Sequence, residues 1–327
     1  MGITSIEWAD YTFNPWIGCS KISPGCANCY AERDFAIRRR RVIWGPNGTR
    51  DKTSSDYWRQ PFTWNRQAAN QAERPRVFCG SLCDVFEQFD NDVRPLWRAQ
   101  LFNVIAQTPN LDWLLLTKRP QNVLRMLAEV KVAYGWGHAV ALAARWLAGD
   151  PPANVWLGVS VENQTCADER IPELLQIPAA VRFLSIEPLL GPVDLRSIAD
   201  DGHNAVHCLT GNVENPNVDW VIVGGESGPH ARPMHPAWAR LLRDQCAAVG
   251  VPFFFKQWGE YAPDGQDDIA PEGTKADCAV VYADQLDRDP EAVFRMGRQF
   301  AGRLLDGRVW SEFPTPQPGH LLQRERV

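Results

Sequence analysis

The chain has 327 residues, 45% of them hydrophobic and 22% charged, which excludes a disordered or fibrous protein and suffices for a sizeable core. Lys and Arg number 34 against 39 Asp and Glu, a net charge of −5, so bulk charge cannot hold nucleic acid and any such contact has to be local. No run approaches the ~18 uninterrupted apolar residues of a membrane span, and Met1 to Asp10 lack the basic and apolar regions of a signal peptide. A cytoplasmic protein without a membrane partner is expected. Nine cysteines, an odd count without a secretory signal, point to metal or redox chemistry rather than to a disulfide framework.

In chain order, the first expected element is a short strand within Tyr11 to Trp16. Behind it Cys19, Cys26 and Cys29 stand as C-x6-C-x2-C, and Pro24-Gly25 supplies a turn that folds the loop back, so that the three sulfurs can converge. Three thiols in one short loop mean metal. A structural zinc wants four protein ligands and would take a distant Cys79, Cys83 or His as its fourth. A [4Fe–4S] cluster on three thiolates instead leaves one iron open to a small molecule. Arg33 and the run Arg38 to Arg41 follow on an expected helix. With Arg50, Lys52 and the rings of Trp44, Tyr57, Trp58 and Trp64 they form a candidate path for single-stranded nucleic acid, against the plainer reading of a solvated helical face.

Further on, short apolar runs alternate with stretches of helical spacing. Strands are expected at Arg76 to Cys79, Trp113 to Leu116, Val155 to Val159, Arg182 to Ile186, Trp220 to Val223 and Pro252 to Phe255. Helices are expected at Val93 to Gln107, Arg119 to Glu129, Cys166 to Leu175 and Pro236 to Val249. Nearly continuous apolar runs suit parallel strands covered on both faces. Strand followed by helix, six or seven times, reads as an α/β fold, with a parallel barrel preferred to a doubly wound sheet. Chemistry in such a barrel sits at the carboxyl ends of the strands. Segments near 44–74, 130–153 and 195–217 break the rhythm and are expected to be lids or surface excursions. The barrel is expected over 1–262, and 263–327 as an extension packing on or capping it, with a hairpin turn at Asp306-Gly307.

The strand ends supply the candidate ligand groups. Ser81 and Asp84 follow the second strand, where Asp84 is equally suited to capping a helix. Lys118 and Arg119 follow the third; cations there oppose a helix dipole and so call for an anion such as a carboxylate or phosphate. Ser160 and Glu162 follow the fourth strand, Glu187 ends the fifth and Glu226 follows the sixth. Three carboxylates at one mouth need cations or a ligand amine, and Lys118, Arg232 or Lys256 are the ion-pair alternatives. Lys256 and Trp258 end the last strand, the tryptophan being either a stacking surface or core. A hydrolase is the weakest reading, because no nucleophile–base pair or hydrolytic metal set accompanies the carboxylates.

The segments Trp8-Ala9-Asp10, Asn14-Pro15-Trp16-Ile17-Gly18-Cys19, Leu116-Thr117-Lys118-Arg119-Pro120, Gly158-Val159-Ser160-Val161-Glu162-Asn163, Ser185-Ile186-Glu187-Pro188-Leu189-Leu190-Gly191, Gly224-Gly225-Glu226-Ser227-Gly228 and Lys256-Gln257-Trp258-Gly259 together resemble the phage-associated three-Cys-motif family. That family, a domain of unknown function, is itself similar to the radical S-adenosylmethionine (SAM) enzymes. The resemblance runs from Ile6 to about Tyr261, with a weaker match from Gly297 to Pro314. It implies a partial (β/α), TIM-like barrel of radical SAM type, with a [4Fe–4S] cluster on Cys19, Cys26 and Cys29. In the radical superfamily the methionyl amine and carboxylate of S-adenosyl-L-methionine chelate the open iron, and one electron cleaves the sulfonium to a 5′-deoxyadenosyl radical. The spacing departs from the usual C-x3-C-x2-C, the first cysteine standing three residues further out.

Under this reading Ser81, Asp84, Lys118, Ser160, Glu162, Glu187 and Glu226 are candidate cofactor contacts, and Arg119, Arg232, Lys256 and Trp258 candidate substrate contacts. A reductant and a dedicated partner protein are implied as well. The expected function is an iron–sulfur, radical SAM-like enzyme that modifies or repairs a nucleic-acid base or nucleotide. The alternative is a non-catalytic, metal-stabilised module that binds nucleic acid or a partner.

Overall fold

The structure, a computed structural model, describes residues 4–88, 94–133, 136–200, 204–211, 216–264, 278–282 and 289–315. Its centre is one sheet of β1 (Tyr11–Phe13), β2 (Arg76–Cys79), β3 (Asp112–Thr117), β4 (Val155–Ser160), β5 (Val181–Ile186), β6 (Trp220–Gly224) and β7 (Phe253–Gln257), paired in chain order. Every pairing is parallel. Helices α1 (Ser55–Ala68), α2 (Arg94–Ala106), α3 (Val123–Lys131), α4 (Gly137–Leu147), α5 (Gln164–Leu175) and α6 (Pro236–Val249) lie between the strands in sequence. Strands that neighbour one another in strict chain order, with helical crossovers everywhere among the described residues except between β5 and β6, make a partial β/α barrel.

The pleat divides the strand residues between two cores. Val77, Cys79, Trp113, Leu115, Leu157 and Val159 belong to the cluster shared with the helices, whereas Phe78, Leu114, Trp156, Phe183, Trp220 and Phe254 fill the barrel interior. Both faces are apolar, which is why the strands read as unbroken runs.

Several boundaries shift for identifiable reasons. The expected strand Tyr11 to Trp16 stops at Phe13, because Pro15 has no N–H for the ladder and the Asn14 side chain takes the Leu82 amide at 2.7 Å. The chain then turns away, and Trp16–Ile17 pairs antiparallel with Asp51–Lys52. The helix expected from Arg119 begins at Val123, after a 3-10 turn over Pro120–Asn122; a residue preceding proline is pushed out of the helical region, and Arg119 sits at φ −131°. The segment 44–74 is not only a surface excursion, since α1 within it buries Trp58, Trp64 and Ala68. Likewise 130–153 carries α4, packed through Ala139, Leu142, Ala143 and Trp146. Within 195–217, Ile198–Asp200 pairs with Asn204–Val206, while 201–203 and 212–215 lie outside the described residues. So do Val93 of the second expected helix and, in the extension, 265–277, 283–288 and 316–327.

The last described residues of the extension meet the barrel at its far end. Leu304–Leu305 and Arg308–Val309 form the hairpin around Asp306-Gly307, both turn residues having positive φ, as a two-residue hairpin loop requires. The chain then runs antiparallel to β7, with Phe255 N–H donating to Trp310 O at 3.1 Å and Glu312 N–H to Phe253 O at 3.2 Å. Phe313 packs on Trp220 and Phe254 at ring separations of 5.2 and 5.4 Å, at the amino ends of the strands. Among the described residues no helix is long and apolar enough to cross a membrane.

Candidate functional site

At the carboxyl ends of the strands the packed interior gives way to a cavity of about 740 Å³. Trp8, Phe78 and Leu116 line its apolar inner end, Ser160, Ser185, Glu187 and Lys256 its wall, and Cys19, Cys26 and Cys29 its rim. The cysteine loop reaches this position through local backbone demands. Gly18 has φ +114°, and a Cβ there would fall 2.7 Å from Thr49 O; its N–H donates to Leu82 O at 3.0 Å. Glycine is therefore needed where the loop leaves the barrel.

Strand-end charges clamp the loop from three sides. Below Cys19 lies Arg119, only 7% exposed. Its Nη1 donates to Asp84 at 2.8 Å and stands 3.9 Å from Cys19 Sγ, while Nη2 donates to Ser20 O at 2.9 Å and Ser20 Oγ at 3.1 Å. The Ser20 hydroxyl donates to Glu87 at 2.5 Å, and Glu87 also takes Arg50 at 2.7 and 2.8 Å. Both side chains of that ion pair are almost wholly buried.

On the second side, buried Glu162 accepts from Ser23 Oγ at 2.8 Å, Lys118 Nζ at 2.5 Å and Arg170 Nη1 at 2.9 Å. A Cβ on Gly25 would fall 2.5 Å from this carboxylate, so the loop lies directly on it. On the third side Glu226 takes both arms of Arg232, at 2.6 and 2.8 Å, and Asn28 at 3.1 Å. Arg232 Nη2 donates in turn to Pro24 O at 3.0 Å.

These contacts set the protonation states. Burial pushes the Glu162 carboxyl up, but Lys118 and Arg170 prevail and bring it from 4.5 down to about 2. Burial likewise opposes ionisation of Glu226, and hydrogen bonds from Arg232 and Asn28 hold it below the usual carboxylate range. A carboxyl lowered by folding contributes stability above its unfolded value and loses it as pH falls through the folded one. The Glu162 contribution is thus expected to be whole above about pH 4.5 and to disappear toward about pH 2. Acid unfolding of Glu162→Gln against the unchanged protein, followed by circular dichroism, should show a flatter profile across that window in the variant.

Burial raises the Cys19 thiol, with Glu87 and Asp84 adding to the effect and Arg119 opposing it. Burial also raises Cys29. Unligated, Cys19 and Cys29 therefore stay protonated at neutral pH, and a metal that binds them displaces protons.

The geometry sorts the candidate residues. Glu162, Glu226, Arg119 and Arg232 hold the cysteine loop, and Lys118 acts on it through Glu162. Asp84 neither caps a helix nor stands free, for besides Arg119 it accepts from Thr117 Oγ1 at 2.8 Å and from the Lys118 amide at 3.1 Å. Ser81 lines the cavity and bonds Asn14. Ser160, Glu187 and Lys256 remain on the cavity wall. Trp258 is core: it is 2% exposed, its indole donates to Leu304 O at 2.8 Å, and it lies outside the cavity lining.

The expected nucleic-acid path does not assemble. Trp58 and Trp64 are buried at 4% and 6% exposure, Tyr57 stacks on Phe13, Arg50 is paired with Glu87 and Lys52 donates to Gln100 at 2.6 Å. Of that set Trp44 and Arg33 reach the cavity lining. Arg38 pairs with Asp34 and Arg41 with Asp51 on the exposed surface. Sequence reasoning missed Glu87, Asn14 and Asn28, whose partners lie far along the chain, and Arg170, which bonds Glu162 from eight residues on.

Gly225 shows how tightly the mouth is built. Its N–H donates to Gln257 O at 2.9 Å, and a Cβ would fall 1.8 Å from Trp258 O. Gly225→Ala is expected to cost about 1–3 kcal/mol, the usual penalty of overpacking, measurable by urea unfolding.

Three thiols on one loop, all lining one cavity, suit a cluster by the chemistry of the donor set. Among the described residues no three His, Cys, Asp or Glu side chains gather where one metal ion could be held. Cys79, a candidate fourth zinc ligand, lies in the helix-side core, whereas Cys83 lines the cavity.

No curated protein and no solved structure matches the chain. A family model described as Protein of unknown function (DUF5131) matches residues 3–314, nearly the whole chain, which therefore belongs to that family.

Proposed function

We propose that the chain is an iron–sulfur enzyme of radical SAM type, acting on a nucleic-acid base or nucleotide, with Cys19, Cys26 and Cys29 holding a [4Fe–4S] cluster and S-adenosyl-L-methionine bound in the cavity. One observation carries the reading: three thiols of a single loop, on the connection after β1, line the cavity at the carboxyl end of a parallel partial barrel. A single ion needs its ligands to meet at a point, but a cubane carries its thiolates on separate irons and asks only that they surround a space. When bound, cluster and cofactor together supply one-electron cleavage of the sulfonium.

The chain's own residues do the rest. Arg119, Glu162 and Glu226 fix the loop from three strand ends, so the thiols keep their places when unligated. Arg119 brings a buried positive charge beside Cys19 and offsets the negative charge of a thiolate set. Trp8, Phe78 and Leu116 keep the inner end of the cavity apolar, which limits water around a reactive intermediate. Ser160 and Ser185 offer polar contacts to the cofactor, and Lys256 and Glu187 to the substrate.

One observation favours the second reading, a metal-stabilised module that binds nucleic acid or a partner without catalysis. Glu162 and Glu226 are saturated by the loop and its cations, as in a scaffold. Anaerobic reconstitution with iron and sulfide, then incubation with S-adenosylmethionine and dithionite, decides between them. Cluster absorption together with 5′-deoxyadenosine is the expected result. A fully loaded protein that releases no 5′-deoxyadenosine would leave only the scaffold.

A further inference from the structure

On the cavity wall, Glu187 and Lys256 form a pair that the cysteine loop does not use. Glu187 follows β5 and Lys256 lies on β7, so the pair has to cross β6. It does so at Gly224, where a Cβ would fall 2.6 Å from Glu187 Oε1. That oxygen stands 3.0 Å from Lys256 Nζ, and Ser185 Oγ lies 3.4 Å from the other carboxylate oxygen. Among the described residues neither member bonds to the loop, in contrast to Glu162 and Glu226. Both side chains are largely buried yet open to the cavity.

An ion pair in such a wall contributes little to stability, so its presence calls for a ligand. The inner end of the cavity indicates which kind. Trp8 and Phe78 lie with ring centroids 4.5 Å apart, and both line the cavity. Trp8 Nε1 and Thr12 Oγ1, from residues on the same lining, are buried without a hydrogen-bond partner. An apolar, aromatic inner end together with a paired acceptor and donor, Glu187 and Lys256, is complementary to a flat heterocycle whose edge carries an N–H next to a carbonyl.

We infer that this wall seats the substrate's base, its N–H on the Glu187 carboxylate and its carbonyl on the Lys256 ammonium, with its ring toward the apolar inner end at Phe78 and Leu116. The inference rests on the proposed function for the identity of the reacting molecule, but the binding it describes needs neither cluster nor cofactor.

The test is a calorimetric titration of the full chain, with and without reconstituted cluster, using uridine 5′-monophosphate and its N3-methyl analogue as probes. Saturable binding of the first is expected, with the methylated analogue, Lys256→Met and Glu187→Gln each weaker by at least about tenfold, the value of a hydrogen bond to a charged group. S-adenosylmethionine affinity of the cluster-loaded variants should stay within about twofold of the unchanged protein, a difference of under about 0.5 kcal/mol. The analogue probes the site on the unchanged protein and so does not depend on a variant folding. Absence of saturation, equal binding of the methylated probe, or variants that bind the nucleotide normally would each overturn the inference. A selective loss of S-adenosylmethionine would overturn it too, by giving the wall to the cofactor. Failure to load iron, by contrast, would sink the proposed function and leave nucleotide binding measurable.

Discussion

Replacing Cys19, Cys26 or Cys29 singly by alanine is expected to lower the iron content of reconstituted protein from about four atoms per chain to near zero, with loss of its visible absorption. The effect is large because the site has little redundancy. The loop offers three thiols, and the carboxylates around it are already committed to Lys118, Arg170 and Arg232. Cys83 is the one further thiol on the cavity lining, and burial raises its thiol well above the ordinary value, so it is a poor substitute. Full iron retention in any single variant would remove that cysteine from the ligand set; retention in all three would dispose of the cluster. The apoprotein should keep its far-ultraviolet circular dichroism in every case, since the clamps on the loop do not involve sulfur ligation.

The second large effect is expected at Glu87. Glu87→Gln leaves the buried Arg50 guanidinium facing a neutral amide and removes the anion that Arg119 approaches at 3.9 Å. Breaking a buried pair from one side costs roughly 3–5 kcal/mol, much of it the desolvation of the stranded charge. Guanidinium unfolding should read that loss, and Arg50→Met combined with Glu87→Gln should recover part of it, as coupled neighbours do. A loss under about 1 kcal/mol would place the pair with ordinary surface ion pairs and remove it as a support of Ser20. Because Ser20 adjoins Cys19, iron retention should fall with stability in the single variant and return with it in the double.

The barrel strands are legible in the sequence because burial on both faces leaves unbroken apolar runs between turn signals, as at Trp220–Gly224. The helix Ser55–Ala68 is harder to see. Its buried residues Trp58, Pro61, Trp64 and Ala68 do recur at helical spacing, but a proline inside the segment and many polar neighbours disguise the stripe. The mouth is legible only by position. Glu162, Glu187 and Glu226 read as strand-end carboxylates, and all three lie there. What separates them is the partner each one meets. Arg170 reaches Glu162 from α5, Asn28 reaches Glu226 from nearly 200 residues away, and Glu187 finds Lys256 across a glycine. The last two pairings follow from the curved geometry of the barrel and leave no local pattern in the chain.

The contact of residues 310–313 with β7 has a consequence for synthesis. The last strand of the sheet presents an open edge until the chain beyond it arrives, and an unpaired edge of apolar, β-rich sequence is prone to pair with other molecules. Phe313, which seals the aromatic base of the barrel, leaves the ribosome after every residue it packs against. A nascent chain that already holds all seven strands is thus still uncorked, and its exposure to aggregation ends only when these few late residues settle into place.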